Sequence, residues 1–266
     1  MCVKIPLLAV VLIACSTQPI WADRAVKCTF KSLAACPKIG CSKPGTPLAV
    51  TNAQKRTTVI HGTAAQLSFT DLADLQKDVE KEVPTTIKGE KVSSYHSMKG
   101  AARKIILSGL KTRDGRLFSE GDYVELSGFI ASTKKSPHPN RGESVNCKLT
   151  DEPSNDYHIN ITPTKDSDET KGVVVEMIPQ NPNRKNKDWR LDKLKKIQAM
   201  QLPVKVQGRL FFDSEHVPNP DGKAGTNPLR FSLFELHPTS AFFVCPLGSC
   251  AKDADWKALE GWTPSP

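Results

Sequence analysis

Gly121–Ile130 (GDYVELSGFI) constrains the fold more than any other stretch. Val124, Leu126 and Ile130 alternate with Tyr123, Glu125 and Phe129, and Gly128 interrupts the apolar face. Period-two alternation marks a half-buried strand. A glycine inside it removes the side chain where a sheet must curl on itself, as the first strand of a small closed barrel does.

Further strands follow. Tyr157, Ile159 and Ile161 alternate with His158, Asn160 and Thr162, while 172–178 is β-branched and nearly continuous. Pro203–Phe212 alternates around Gly208, and Phe231–His237 with Ala241–Cys245 completes the set. Before Pro203, residues 188–200 open on Asp188 and carry an apolar row through Leu191, Leu194 and Ile197, which predicts a helix. The order strand, strand, strand, helix, strand, strand is that of the OB-fold, a five-stranded Greek-key barrel with its helix between strands 3 and 4. The expected class is therefore mainly β with helices (α+β). A β-sandwich is the alternative, and it leaves the helix without a role.

Upstream, Leu72, Leu75, Val79 and Val83 fall on one face of a helix that opens at Ser68 and ends at Pro84. Residues 47–66 are polar and aperiodic, and Ala101–Leu110 is apolar without a period that separates helix from strand. The chain divides into a signal (1–22), a Cys-rich segment (23–66), an OB-like barrel domain with its leading helix (67–250) and a tail (251–266).

Met1–Ala22 has Lys4, an apolar run from Ile5 to Ala14 and a polar exit, the three regions of a secretory signal. Cleavage after Ala22 makes an exported, periplasmic or extracellular protein. Leu12–Cys15 also matches a bacterial lipobox, which makes Cys15 the lipidation candidate and the envelope membrane a partner only in that form. The net charge is +9, and about +8 once Lys4 is removed with the signal. An anionic partner is permitted by that charge, not demanded. Cys28, Cys36, Cys41, Cys147, Cys245 and Cys250 remain, an even number that reads as disulfides in an exported chain. Cys36–Cys41 and Cys245–Cys250 share a four-residue spacer with Pro and Gly inside, which suggests two short staples. A zinc site is the weaker alternative, since no histidine follows at finger spacing.

The phrases Gly142–Cys147, Asn155–His158, Val173–Pro179 and Phe234–Pro238 resemble those of a family of uncharacterised exported bacterial proteins. The likeness runs from the Cys-rich segment to Cys245. It implies bacterial origin and export, and no activity. Phe234 stands where such proteins commonly have Trp.

Two sets of residues could carry function. Tyr123, Phe129, Lys134, Lys135, Arg141, Lys205 and Arg209 combine aromatic and basic side chains on proposed strands and a long basic loop. OB barrels bind oligonucleotides or oligosaccharides with such a face. The first reading is accordingly an exported, disulfide-stabilised binding protein for an anionic ligand, single-stranded nucleic acid or an anionic glycan, without catalysis. It assigns no metal and no cofactor. His158, Glu176, His216, Glu235 and His237 form the second set, since all fall on or at the ends of barrel strands. If they converge, they suit a metal-dependent hydrolase or nuclease. If they point apart, they are hydrogen-bonded rim residues. A structural envelope protein is the third reading.

Overall fold

The computed structural model describes residues 28–58, 60, 62–83, 100–135, 142–216 and 229–264. The expected signal, Cys15 and Arg141 lie outside them, as does the side chain of Lys135. Nine strands are described: β1 (Ala65–Leu67), β2 (Leu110–Lys111), β3 (Leu117–Phe118), β4 (Tyr123–Lys135), β5 (Tyr157–Thr162), β6 (Val173–Met177), β7 (Pro203–Phe212), β8 (Phe234–Val244) and β9 (Lys257–Ala258). The described helices are α1 (Pro47–Lys55), α2 (Phe69–Glu82), α3 (Gly100–Ile106), α4 (Pro182–Lys185) and α5 (Leu191–Ala199).

Strands β4 to β8 close a barrel. β4 pairs antiparallel with β5 and β5 with β6; β6 runs parallel to β8, β8 antiparallel to β7, and β7 returns to β4. That is the OB-fold order, with α5 between the third and fourth barrel strands as the sequence leads one to expect. Val124, Leu126, Ile159, Val175, Val206 and Leu236 fill the interior, all at most 1% exposed. The glycine bends are required by close approach. A Cβ on Gly128 would sit 2.4 Å from the Thr162 carbonyl oxygen, and one on Gly208 2.8 Å from that of Pro238.

Helix α2 begins as its sequence predicts. Ser68 Oγ accepts from the Asp71 amide while the Asp71 carboxylate accepts from the Ser68 amide, a capping box. Leu72, Leu75 and Val79 are fully buried. Helix α5 starts later than expected: Arg190 occupies the N-cap position, and the Asp188 amide donates to the Asn183 carbonyl. Residues 47–55, aperiodic in sequence, form α1 behind Thr46 as N-cap and Pro47 in the first turn. The two apolar runs around 234–244 are one strand, not two. The stretch expected to be a tail packs onto the barrel, with β9 paired to the end of β8 and Leu259 and Trp262 joining the core.

Three disulfides are formed: Cys28–Cys41, Cys36–Cys147 and Cys245–Cys250. The short staple at Cys245–Cys250 is as expected, and the one at Cys36–Cys41 is not. Gly40 packs directly against the Ser144 backbone and the Cys41 amide donates to the Ser144 carbonyl, which brings Cys36 to Cys147 instead. The Cys-rich segment is thereby clamped onto the β4–β5 connection. Among the described residues, no helix is long and apolar enough to cross a membrane.

Candidate metal centre

Strand parity builds the site. Ile159 pairs with Val175 facing inward, so the next pair in the ladder, His158 with Glu176, faces out. On β8, Leu236 faces inward beside Val175, which turns Glu235 and His237 to the same outer face. An outer face is normally wet, yet Glu235 and His237 are at most 1% exposed and Glu176 is 4% exposed. The covering comes from the clamped N-terminal segment, whose Lys55 lies 5.2 Å over the Phe211 ring, itself 5.5 Å from the His237 ring.

The side chains converge. His237 Nδ1 lies 3.2 Å from Glu235 Oε1, its hydrogen-bond partner, and 2.9 Å from Glu176 Oε2 along a direction that makes no hydrogen bond. The opposite nitrogen, Nε2, points at Asp156 Oδ2 across 4.0 Å. His158 Nε2 is 3.3 Å from Glu176 Oε1 and 3.5 Å from Glu143 Oε1. Asp156 is fixed from behind: its Oδ1 accepts from Asn146 Nδ2 at 3.0 Å, and Asn146 Oδ1 accepts from Gln180 Nε2 at 2.9 Å. The Glu143 and His158 side chains, 23% and 25% exposed, form the open rim, and Asp156 and His237 the floor.

Behind β8, Arg230 donates from Nη1 to Glu235 and from Nη2 to Asp213, both at 2.9 Å. His216 Nδ1 meets Asp213 at 2.8 Å. The cluster thus holds five carboxylates, those of Glu143, Asp156, Glu176, Asp213 and Glu235, beside the cations Lys55 and Arg230, with His216 on Asp213 at the exposed end. Arg56 lies further out, on the carbonyls of Cys36 and Pro37.

The carboxylates outnumber these cations, and the protonation equilibria of the group shift in response. Burial, then Glu143 and Glu176, push Asp156 up to about 8. Burial alone would lower His237, but Glu176 and Glu235 raise it to about 10. The same contest at His158 ends well above the usual histidine value because of Glu176 and Glu143. Burial opposes ionisation of Glu143 and Glu176 too, and the imidazoles overcome it: His158 takes Glu143 down to about 2, and His158 with His237 holds Glu176 well below the carboxylate range.

Among the described residues, Asp156 Oδ2, Glu176 Oε2 and His237 Nε2 are enclosed polar atoms without a hydrogen-bond partner. Two groups can each offer a cation three ligand atoms within 4.8 Å of one another: Glu143, Asp156 and His158, and Asp156, Glu176 and His237. A third grouping, Cys28, Cys41 and Cys147, has its sulfurs committed to disulfides.

Of the five His and Glu residues singled out in the sequence, His158, Glu176, Glu235 and His237 meet directly, and His216 joins through Asp213 and Arg230. Of the aromatic and basic set, Tyr123, Phe129, Lys205 and Arg209 fall on the outer face of the β4–β7 ladder, while Arg141 and the side chain of Lys135 lie outside the described residues. Tyr123 donates to Gln207 Oε1 at 2.6 Å, and Lys205 lies between Asp253 at 3.2 Å and Glu125 at 3.9 Å, over the rings of Phe243 and Trp256. Arg209 faces Tyr123 in the β4–β7 ladder, and Phe129 sits further along β4 beside a shallow depression. Lys134 stands apart, since it pairs with His158 across the β4–β5 ladder and reaches Glu169 at 3.7 Å. Asp156, Glu143, Lys55 and Arg230 were not foreseen. Asp156 carried a usable signal, two residues before His158 and so on its face of the chain. Lys55 and Arg230 carried none.

No protein-family model and no curated protein matches the chain. Among solved structures it is similar to OBody AM2EP06 bound to hen egg-white lysozyme, at 13% identity over 47% of this chain and 81% of that one, with a TM-score of 0.23. OBody AM3L09 bound to hen egg-white lysozyme gives 12%, 47%, 82% and 0.22. The fold assignment rests on the strand pairing of this chain itself.

Proposed function

We propose that the protein is a divalent-metal-dependent hydrolase centred on Glu143, Asp156, His158, Glu176 and His237. One observation carries this: two imidazoles and three carboxylates converge in a covered site where Asp156 Oδ2 and His237 Nε2 face each other without hydrogen-bond partners among the described residues. Leaving such atoms enclosed costs about 1–3 kcal/mol each, and a cation removes that penalty. Mixed imidazole and carboxylate ligands suit Zn²⁺, Mn²⁺ or Fe²⁺. Glu235 on His237 Nδ1, and Asn146 with Gln180 behind Asp156, are the outer partners that orient metal ligands. A cation held there lowers the pKa of its water toward neutrality and polarises a substrate oxygen.

The location supports the reading by analogy, because OB barrels use the strand 2–3 face and its flanking loops for ligands. The net charge of +9 and Lys134 beside the rim favour an anionic substrate. Three disulfides support work in an oxidising compartment, as the sequence-based expectation of export would require. A binding role alone supplies no reason to enclose Asp156 and Glu176 beside each other.

The test is turnover by chelator-stripped protein, with and without Mn²⁺ or Zn²⁺, on bis(4-nitrophenyl) phosphate, 4-nitrophenyl acetate and single-stranded DNA. Hydrolysis of at least one substrate should appear only with metal and fall at least 100-fold in Glu176→Gln. Metal-independent turnover, or none, counts against the proposal.

A further inference from the structure

We propose, building on the hydrolase reading above, that the centre takes two divalent cations with Asp156 and Glu176 shared between them, and that its substrates are phosphodiesters. The geometry gives two subsites, not one. The two groups of potential ligands overlap only at Asp156, and each contains one imidazole. Glu176 spans the same gap, with Oε1 3.3 Å from His158 and Oε2 2.9 Å from His237. Each subsite therefore has its own terminal histidine, His158 at the rim and His237 on the floor, and two carboxylates lie between. A pair of cations about 3.5–4 Å apart, bridged by carboxylates, is the arrangement that clamps both the attacking and the leaving oxygen of an in-line displacement.

Charge selects the substrate class. Within the ligand set itself, with both imidazoles neutral, Glu143, Asp156 and Glu176 carry three negative charges. A single dication leaves the centre with one negative charge, which repels an anion. Two dications leave one positive charge, which a phosphodiester monoanion neutralises. Lys134, opposite His158 in the ladder, stands where that anion approaches.

The reaction balances without redox chemistry. A water oxygen supplies the electron pair of a new P–O bond, and the ester P–O bond breaks with its pair on the leaving oxygen. The water gives up one proton and the leaving oxygen gains one, exchanged through solvent at the Glu143 and His158 rim. A diester and water give a monoester and an alcohol.

Equilibrium dialysis of the full, disulfide-intact chain against Mn²⁺ alone, with bound metal counted by mass spectrometry, tests the pair. Two equivalents are expected, with an EPR spectrum of two coupled Mn²⁺ ions. His158→Gln should retain one equivalent and lose the coupling. Glu143→Gln, also at the rim, serves as the second variant if that one misfolds by near-UV circular dichroism. One equivalent in the parent protein, with metal-dependent turnover intact, overturns the two-cation proposal and leaves the hydrolase reading standing. No bound metal overturns both. On substrate, bis(4-nitrophenyl) phosphate should be cleaved and 4-nitrophenyl acetate left alone; the reverse, with two metals bound, rejects the phosphodiester assignment.

Discussion

Arg230 holds the deep side of the centre together. Its guanidinium, 2% exposed as a residue, joins Glu235 to Asp213, and Glu235 in turn holds His237. Arg230→Met leaves two enclosed carboxylates facing each other, so we expect a loss of about 3–5 kcal/mol in urea unfolding. At the far end of the chain of contacts, His216 has its pKa raised chiefly by its hydrogen bond to Asp213, against burial. A folded pKa above the unfolded value means that this pair stabilises the protein fully below the unfolded histidine pKa. The contribution fades as pH rises through the higher folded value. The His216 ring should titrate above 6.5 by NMR in the parent and return toward it in Asp213→Asn; an unchanged midpoint would contradict the contact. At this scale the sequence was half legible. Glu235 and His237 are two apart on a strand and share a face by parity alone, and so do Asp156 and His158. Lys55 and Arg230 reach the site from a helix hidden in polar text and from the β7–β8 connection, where no period records which way a side chain turns.

At the scale of elements, barrel closure depends on two glycines. Gly128 lies where the Thr162 carbonyl oxygen and Ile161 Cγ2 come within 2.8 Å of a hypothetical Cβ, and the nearer of these is backbone that cannot step aside. Gly128→Ala should cost about 1–3 kcal/mol through overpacking, read as a lower urea midpoint with an unchanged slope. Such bends were visible in sequence because alternation continues across them. The β8 strand was visible only in pieces, since His237, Pro238, Thr239 and Ser240 break the apolar pattern. Its polar stretch is where the site lies, so the feature that obscured the strand is the one that serves function. Helix α1 shows no apolar period because its hold on the Cys-rich segment and the β4–β5 connection is polar: Asn52 donates to the Ile39 carbonyl, Ser42 and Ser144.

For the molecule as a whole, the centre exists only because a disulfide-bound cap lies on an outer barrel face. Cys36–Cys147 closes a separation of 111 residues and fixes the connection that carries Glu143. By chain entropy its removal should cost about 4–5 kcal/mol. The double variant Cys36→Ser, Cys147→Ser should therefore unfold at lower urea and bind Mn²⁺ more weakly, while a cap irrelevant to the site would change only the first. Neither that pairing nor the covering of the outer face was legible beforehand, because six cysteines allow fifteen pairings and their spacing favoured a different one. The most direct measurement is anomalous diffraction from crystals of the full chain grown with Mn²⁺. A metal centre here predicts anomalous peaks among Asp156, Glu176 and His237, and beside Glu143 and His158. Density without a peak at those side chains, with the imidazoles instead paired to the carboxylates as simple ion pairs, would contradict it.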